Sequence, residues 1–196
     1  MDLSNIPLDF KHLDSFIYVL DGLSSLQQLS LAYCFTQATL GPHGKQQTLD
    51  KVDGLLNKLF SLNSLRALDL SKNRFYPESL ATLFTLLAKS KTLKALAMSS
   101  VDGFTDDAAK VFVEALASND QLKQLNIAGN KLSPSSVTQI LQAIARKGTI
   151  ADLDMSKCNF DGRFKELAEL ISLNKQLRSL SIQKVAMNSI QGAVLI

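Results

Sequence analysis

Apolar residues recur along the chain in a triplet spaced as LxxLxL. The triplet occurs six times, and its first members are separated by 39, 28, 29, 28 and 27 residues. The triplets are Leu26, Leu29, Leu31; Leu65, Leu68, Leu70; Leu93, Leu96, Met98; Leu122, Leu125, Ile127; Ile150, Leu153, Met155; and Leu177, Leu180, Ile182. A unit of about 28 residues that recurs in constant register predicts a repeat protein, in which neighbouring units share one core.

Each unit also changes its hydrophobic period from that of a strand to that of a helix. The triplet alternates as a strand does, whereas Leu80, Leu83, Phe84 and Leu87 follow the spacing of one helical face. Thr105 and Ser133 are predicted to begin two of these helices, because each hydroxyl precedes a residue suited to a first helical turn. Further helices are expected near 49–60 and 164–172, and residues 1–22 are predicted to form a capping helix.

The segments LRALDLSKNRF at 65–75 and LKQLNIAGNKL at 122–132 resemble leucine-rich repeats. The repeat length is similar to that of the ribonuclease-inhibitor-like class, with a generic similarity to repeats of the CARMIL, tropomodulin and RanGAP kinds. This resemblance implies an α/β solenoid, a horseshoe with parallel strands on the concave face and helices on the convex face. It also implies an intracellular, cytoplasmic protein.

The expected organisation is a single domain over residues 1–196. About six repeats occupy 23–187, an insertion loop occupies 36–48, and a tail follows at 188–196. The insertion accounts for the long first unit, and its Gly, Pro and polar residues indicate an exposed loop at the strand-end rim. The tail either folds back or marks the chain as a piece of a longer protein, and the second alternative is favoured.

Several residues are predicted to have structural roles. Leu68 and Leu125 should lie in the core, where replacement by Asp would cost several kcal/mol. At the position that asparagine normally holds in such repeats, the six units have Cys34, Asn73, Val101, Asn130, Cys158 and Val185. Asn73 and Asn130 should satisfy buried backbone groups, both cysteines should be structural, and the repeats with valine should have a different loop.

The residues that alternate with the buried leucines should point into the concavity. On this basis a protein-binding surface is predicted from the floor residues Asp69, Asn126, Asp152 and Asp154, the rim residues Tyr33, Lys72 and Lys157, and the insertion residues His43 and Lys45. An alternative is that these residues merely fill the repeat consensus, since aspartate and serine are common there in repeats of any function.

Charge and composition add little to this picture. The formal net charge is +3 and 46% of the 196 residues are hydrophobic, which argues for neither nucleic acid nor membrane insertion. Arg66, Lys94, Lys123 and Arg178 form a basic row at one edge, interpreted as solvated charges. Two cysteines, together with a start that does not resemble a secretory signal, favour a reducing compartment.

No catalytic, metal or cofactor site is predicted. GPHGKQ at 41–46 lacks the glycine and hydroxyl residues of a phosphate loop, and His12 and His43 lie apart from any metal-ligand set. The favoured function is a noncatalytic protein–protein interaction module, such as a scaffold or cytoskeletal regulator. The alternatives are a GTPase-activating protein of the RanGAP type, for which Arg74 is the residue to test, or a bacterial-effector or immune-type recognition domain. Partner identity and oligomeric state stay open.

Overall fold

Short parallel strands form one open sheet in the computed structural model, which describes residues 1–36 and 44–185. Within these residues the strands are β1 Gln28–Ser30, β2 Ala67–Asp69, β3 Ala95–Ala97, β4 Gln124–Asn126, β5 Asp152–Asp154 and β6 Ser179–Ser181. They stand in chain order, and the central leucine of each triplet pairs with that of the next, from Leu29 to Leu180. The predicted α/β solenoid and its register are confirmed.

Helices connect successive strands and pack against their neighbours in the same order. They are α1 Leu13–Asp21, α2 Lys45–Ser61, α3 Pro77–Lys89, α4 Asp106–Ser118, α5 Pro134–Lys147 and α6 Phe164–Leu173, and a 3₁₀ turn at Phe10–His12 precedes α1. Two predicted helix starts are confirmed, since the hydroxyls of Thr105 and Ser133 accept from the backbone N–H groups of Ala108 and Ser136.

The second helix begins earlier than predicted. It starts at Lys45, so the assignment of residues 45–48 to an insertion loop was wrong. Thr48 is buried in the first turns of this helix and continues the apolar face of Val52, Leu55 and Leu59. The hydroxyl breaks the apolar pattern in the sequence, which concealed this turn. Residues 37–43 of the predicted insertion lie outside the described residues.

The core lies between the sheet and the helices. Leu68 and Leu125 are each only 2% exposed, as expected for the central residues of their triplets. Phe84, Phe104 and Phe112 add a cluster of three rings whose centroids lie 4.8–5.5 Å apart. Because each helix contacts mainly the helices before and after it, stability is shared between adjacent repeats.

A ladder of side chains joins successive repeats at the turn after each strand. Asn73 donates to the carbonyl oxygens of Leu31 and Leu70, and Asn130 donates to those of Met98 and Ile127. The thiols of the cysteines at this position donate in the same way: Cys34 to Leu3, and Cys158 to Ile127. All four side chains thus satisfy backbone carbonyls in the turns. Val101 cannot donate from its side chain, and its backbone N–H donates to Asn130 Oδ1 as that of Cys34 does to Asn73 Oδ1.

The N-terminal residues form a seventh, partial unit beside β1. A parallel bridge joins Asp2 to Ser30, and the N–H groups of Leu3, Asn5 and Leu8 donate to backbone carbonyls of the first repeat. A capping helix over 1–22 was therefore wrong for residues 1–9. The signal was present in the sequence, because Met-Asp-Leu-Ser at 1–4 repeats Leu-Asp-Leu-Ser at 68–71.

The chain turns into a left-handed backbone conformation after each strand. Equivalent positions in successive units all have a φ between 53° and 71°: Asn5, Tyr33, Lys72, Ser100, Gly129, Lys157 and Lys184. From Asn5 to Lys157, each of these residues donates its backbone N–H to a carbonyl of the following unit. The turn is therefore a repeated structural requirement of the stacking.

Within residues 1–36 and 44–185, no helix is long and apolar enough to cross a membrane. The predicted tail at 188–196 lies outside the described residues.

Candidate functional site: the concave groove

The outward positions of the strands line one continuous groove on the concave face. Its volume is about 770 Å³, and residues from all six strands, together with Met1 and Asp2, form its wall. The predicted floor residues Asp69, Asn126, Asp152 and Asp154 all line it. The alternation of buried and outward residues therefore placed the floor correctly, whereas the contribution of Asp2 was missed.

Most of the polar floor residues are held in place by their own backbone. Oδ1 of Asp2, Asp69, Asn126 and Asp154 each accepts a hydrogen bond from the backbone N–H two residues further on, at 2.8–3.0 Å. Asp152 is fixed differently, because its Oδ2 accepts from the side-chain amide of Gln124 at 3.0 Å. The first four of these bonds close the turn that follows, which gives a physical reason for finding Asp and Asn at these repeat positions whatever the function.

The electrostatic character of the groove is acidic. Four carboxylates line it, those of Asp2, Asp69, Asp152 and Asp154, and no Lys, Arg or His side chain belongs to its described lining. Hydrogen bonds from the hydroxyl and the N–H of Ser4 hold the pKa of Asp2 below its ordinary value, so this group is charged at neutral pH. Between the acidic strands β2 and β5, the floor is made of Ala95 and Ala97 of β3 and of Gln124 and Asn126 of β4.

The predicted rim residues border the groove but do not line it. Tyr33, Lys72 and Lys157 are exposed and occupy the left-handed position that follows their strands. Tyr33 is 52% exposed, which is high for a large apolar ring. Their role in partner binding stays a prediction.

One of the two insertion residues, Lys45, does not join this site. Lys45 lies in the first turn of α2, where its Nζ is 2.6 Å from Glu78 Oε1 and 5.5 Å from the centroid of the Tyr76 ring. It is thereby engaged with the neighbouring helix and does not line the groove. His43 lies outside the described residues.

Arg74, the residue named for a GTPase-activating role, also lies on the strand-end side. Its Nε is 3.6 Å from Asp102 Oδ2 of the next repeat, and a backbone bridge joins the same two residues. The arginine is thus tied to its neighbour across the stack, a geometry that stabilises adjacent repeats.

Both cysteines have the environment of structural residues. Both are buried, and burial raises the pKa of the Cys158 thiol to about 11 and raises that of Cys34 as well. A thiol that keeps its proton is a poor nucleophile and a poor metal ligand. Within the described ranges, no group of three or more His, Cys, Asp or Glu residues could hold a metal ion.

Two buried asparagines were missed by the sequence analysis. Asn119 and Asn174 each follow a helix and donate to backbone carbonyls of the neighbouring repeat, Asn119 to Leu87 and Asn174 to Ile150. Their Oδ1 atoms accept from backbone N–H groups of the turn into the next strand. The signal was an asparagine three residues before the triplets that begin at Leu122 and Leu177.

A second depression, of about 450 Å³, lies on the convex side between α4 and α5. It is lined by Val113, Ala117, Gln139, Gln142, Ala143, Arg146 and Lys147. It is smaller than the concave groove and involves two helices only.

The repeated strand, left-handed turn and helix, joined by the asparagine and cysteine ladder, define an α/β solenoid of the leucine-rich-repeat type. Comparisons with known proteins agree with this class. No family model matches the chain. A curated relative is the mouse (Mus musculus) "NACHT, LRR and PYD domains-containing protein 5", which is 29% identical over 126 residues. That match covers 63% of this chain but only 11% of the relative.

Two solved structures share the fold. One is the tropomodulin C-terminal domain of Caenorhabditis elegans, with a TM-score of 0.58 at 14% identity over 74% of this chain and 87% of that one. The other is actin-binding site 2 of leiomodin-1, with the same TM-score and identity over 85% of this chain and 86% of that one. At this level of identity the likeness concerns the fold.

Proposed function

We propose that this chain is a noncatalytic protein-binding module that receives a protein partner on its concave face. The observation that carries the proposal is the continuous groove, to which every strand contributes outward side chains. Concave faces of solenoids provide extended binding surfaces, because successive repeats present the same positions side by side. The two buried thiols are in keeping with a reducing, cytoplasmic setting.

A cytoskeletal partner is the first candidate. Support comes from the leiomodin-1 domain of similar fold, which is described as an actin-binding site. Co-sedimentation with actin filaments and retention of monomeric actin on the immobilised chain test this partner directly. Binding of neither form would remove actin from consideration.

A site-specific crosslinker tests the binding face whatever the identity of the partner. Benzoylphenylalanine in place of Ala97, which lines the concave groove, should form covalent adducts with proteins in cells that express the chain. The matched control replaces Ala117, which lines the convex depression. Adducts from position 117 alone, or equal adducts from both positions, would contradict the proposal.

A groove-filling variant then tests whether the same face is required. Ala97→Trp should abolish capture of the crosslinked partner, whereas Ala117→Trp should leave it intact. Circular dichroism and a melting curve establish that both variants are folded. Loss of capture with Ala117→Trp only would assign binding to the convex side.

A further inference from the structure

We propose that the groove accepts a basic α-helical segment of the partner, a proposal that rests on the concave face being the binding surface. Four features support it: the charge of the floor, the fixation of its carboxylates, the charges at its borders and the spacing between the acidic strands.

The floor presents four carboxylates and one positive group in its described lining, the N-terminal ammonium of Met1, which donates to the carbonyl oxygen of Gln28 and helps to lower the pKa of Asp2. Asp2, Asp69 and Asp154 occupy the same position in their respective units, and Asp152 lies two residues before Asp154. Within residues 1–36 and 44–185, none of these four carboxylates has a salt bridge. A concave surface lined mainly by charges of one sign concentrates the field and favours a partner of the opposite sign.

These carboxylates are already held in a binding orientation. In Asp69 and Asp154, one oxygen is fixed by a backbone N–H, which leaves the other oxygen for a partner. A side chain that is ordered before binding loses less conformational entropy when the partner arrives.

Both borders of the floor have the opposite charge. Lys72 and Lys157 stand where the strands end, and Arg66, Lys94 and Lys123 stand immediately before the strands begin. A broad positive surface would be attracted by the floor and repelled by both borders. This charge pattern therefore favours a partner whose positive charge lies on one narrow ridge. The acidic floor disfavours nucleic acid.

The spacing of the charges fits a helix. Asp69 is in β2 and Asp152 is in β5, so three strand spacings of ~4.8 Å place their strands about 14 Å apart. Ala95 and Ala97 of β3 and Gln124 and Asn126 of β4 lie between them. Eleven residues of α-helix rise ~16.5 Å and return to the same face, so lysines at positions i and i+11 approach both acidic groups. A helix also satisfies its own backbone, as required on a sheet face that offers only side chains.

One strand of this sheet already has asparagine where others have aspartate, which suggests variants that remove the charge and keep the turn. Asn126 closes its turn with Oδ1 as Asp69 and Asp154 do, at 3.0 Å. Asp69→Asn and Asp154→Asn should therefore keep their turns, and Asp152→Asn keeps an acceptor for Gln124. The matched control is Asp50→Asn with Glu114→Gln, which removes two exposed carboxylates from convex helices.

The probe is a capped, fluorescein-labelled Ala/Gln helix of 20 residues with lysine pairs eleven positions apart on one face. A second peptide has the same composition with the pairs nine positions apart, on opposite faces. In anisotropy titrations at low salt, the first peptide should bind more tightly. The triple Asp→Asn variant should weaken its binding about tenfold, from roughly twofold for each exposed charge pair. The convex control should bind as the unaltered chain does.

Equal affinity for both peptides, or equal affinity of the triple variant and the unaltered chain, would overturn the basic-helix proposal. That failure is distinguishable from failure of the concave site itself. If Ala97→Trp abolishes partner capture while the triple variant captures normally, the concave face binds a partner of other chemistry. If neither changes capture, both proposals fall.

Discussion

The side-chain amide of Asn73 donates to the carbonyl oxygen of Leu31 in the preceding repeat, at 2.8 Å. Its Oδ1 accepts from the backbone N–H groups of Cys34 and Phe35, also at 2.8 Å each. One buried side chain thus satisfies backbone groups of two neighbouring repeats, with only 1% of its surface exposed.

Replacement of this asparagine should therefore be costly. Asn73→Ala leaves several backbone groups buried without partners, and each such group costs ~1–3 kcal/mol. We expect the free energy of unfolding, measured by urea denaturation, to fall by about 3 kcal/mol or more. Asn159→Ala, which removes only one exposed hydrogen bond from the backbone N–H of Asp161, is the control. An Asn73→Ala chain as stable as the control would disprove the role of the ladder.

The left-handed turns predict opposite effects for two substitutions at equivalent positions. Lys157 has a φ of 60°, which costs ~1–2 kcal/mol for a residue with a Cβ, and glycine relieves that cost while adding freedom to the unfolded chain. Lys157→Gly should stabilise the chain by roughly 0.5 kcal/mol. Gly129→Ala should destabilise it, because the new Cβ would meet Ser100 Oγ at 2.6 Å.

Chemical denaturation of both variants measures these two changes in the free energy of unfolding. Adding Ser100→Ala to Gly129→Ala removes the close contact but not the unfavourable φ, and should restore only part of the stability. If Gly129→Ala is neutral, or Lys157→Gly is destabilising, the repeated left-handed turn does not describe the chain in solution.

Burial of the two thiols predicts low reactivity. Since the pKa of Cys158 is raised to about 11 and that of Cys34 is also raised, both groups keep their protons at pH 8. Ellman's reagent should therefore modify neither thiol on the time scale of minutes in the native chain. In 6 M guanidinium chloride both should react at once. Rapid reaction of either thiol in the folded chain would contradict its placement.

An acid-sensitive contact joins α4 to the start of α5. Asp106 Oδ1 accepts from the backbone N–H of Ser133 at 2.9 Å, and hydrogen bonds from Ser136 and Ser133 hold the pKa of Asp106 below its ordinary value. A carboxyl group whose pKa is lower in the folded state stabilises the fold above its ordinary pKa of ~4, and loses that contribution as the pH falls below it.

We therefore expect the unaltered chain to lose slightly more stability than Asp106→Asn between pH 5 and pH 3. The effect is small because the carboxyl group is exposed. Urea denaturation at several pH values measures it, with Asp50→Asn on the convex side as the comparison. Parallel pH profiles for Asp106→Asn and the unaltered chain would show that this contact does not contribute.

The features that follow from the repeat period, namely the core register and the outward floor positions, could be predicted from the sequence. The triplets placed Leu68 and Leu125 in register, and their alternation placed Asp69, Asn126, Asp152 and Asp154 in the groove. The partial unit at residues 1–5 was not predicted, because this segment contains only part of a triplet. The early start of α2 escaped because Thr48 interrupts an apolar face.

The left-handed turns could not be predicted from local propensity. At these positions glycine or asparagine signals the conformation only at Gly129 and Asn5, whereas Tyr33, Lys72, Ser100, Lys157 and Lys184 give no such signal. Stacking imposes the turn on them through hydrogen bonds to the next unit. The positions of the ends of the rim side chains could not be predicted either, because these exposed side chains rotate about bonds that the repeat pattern does not fix.

Aspartate and asparagine perform the same closing role after β2, β4 and β5, through an oxygen that both residues possess. Evolution can therefore exchange one for the other, strand by strand, at little cost to folding. The charge of the concave face can therefore change while the fold stays the same. A lineage of such chains could acquire new partners by single-nucleotide changes while its architecture stays constant.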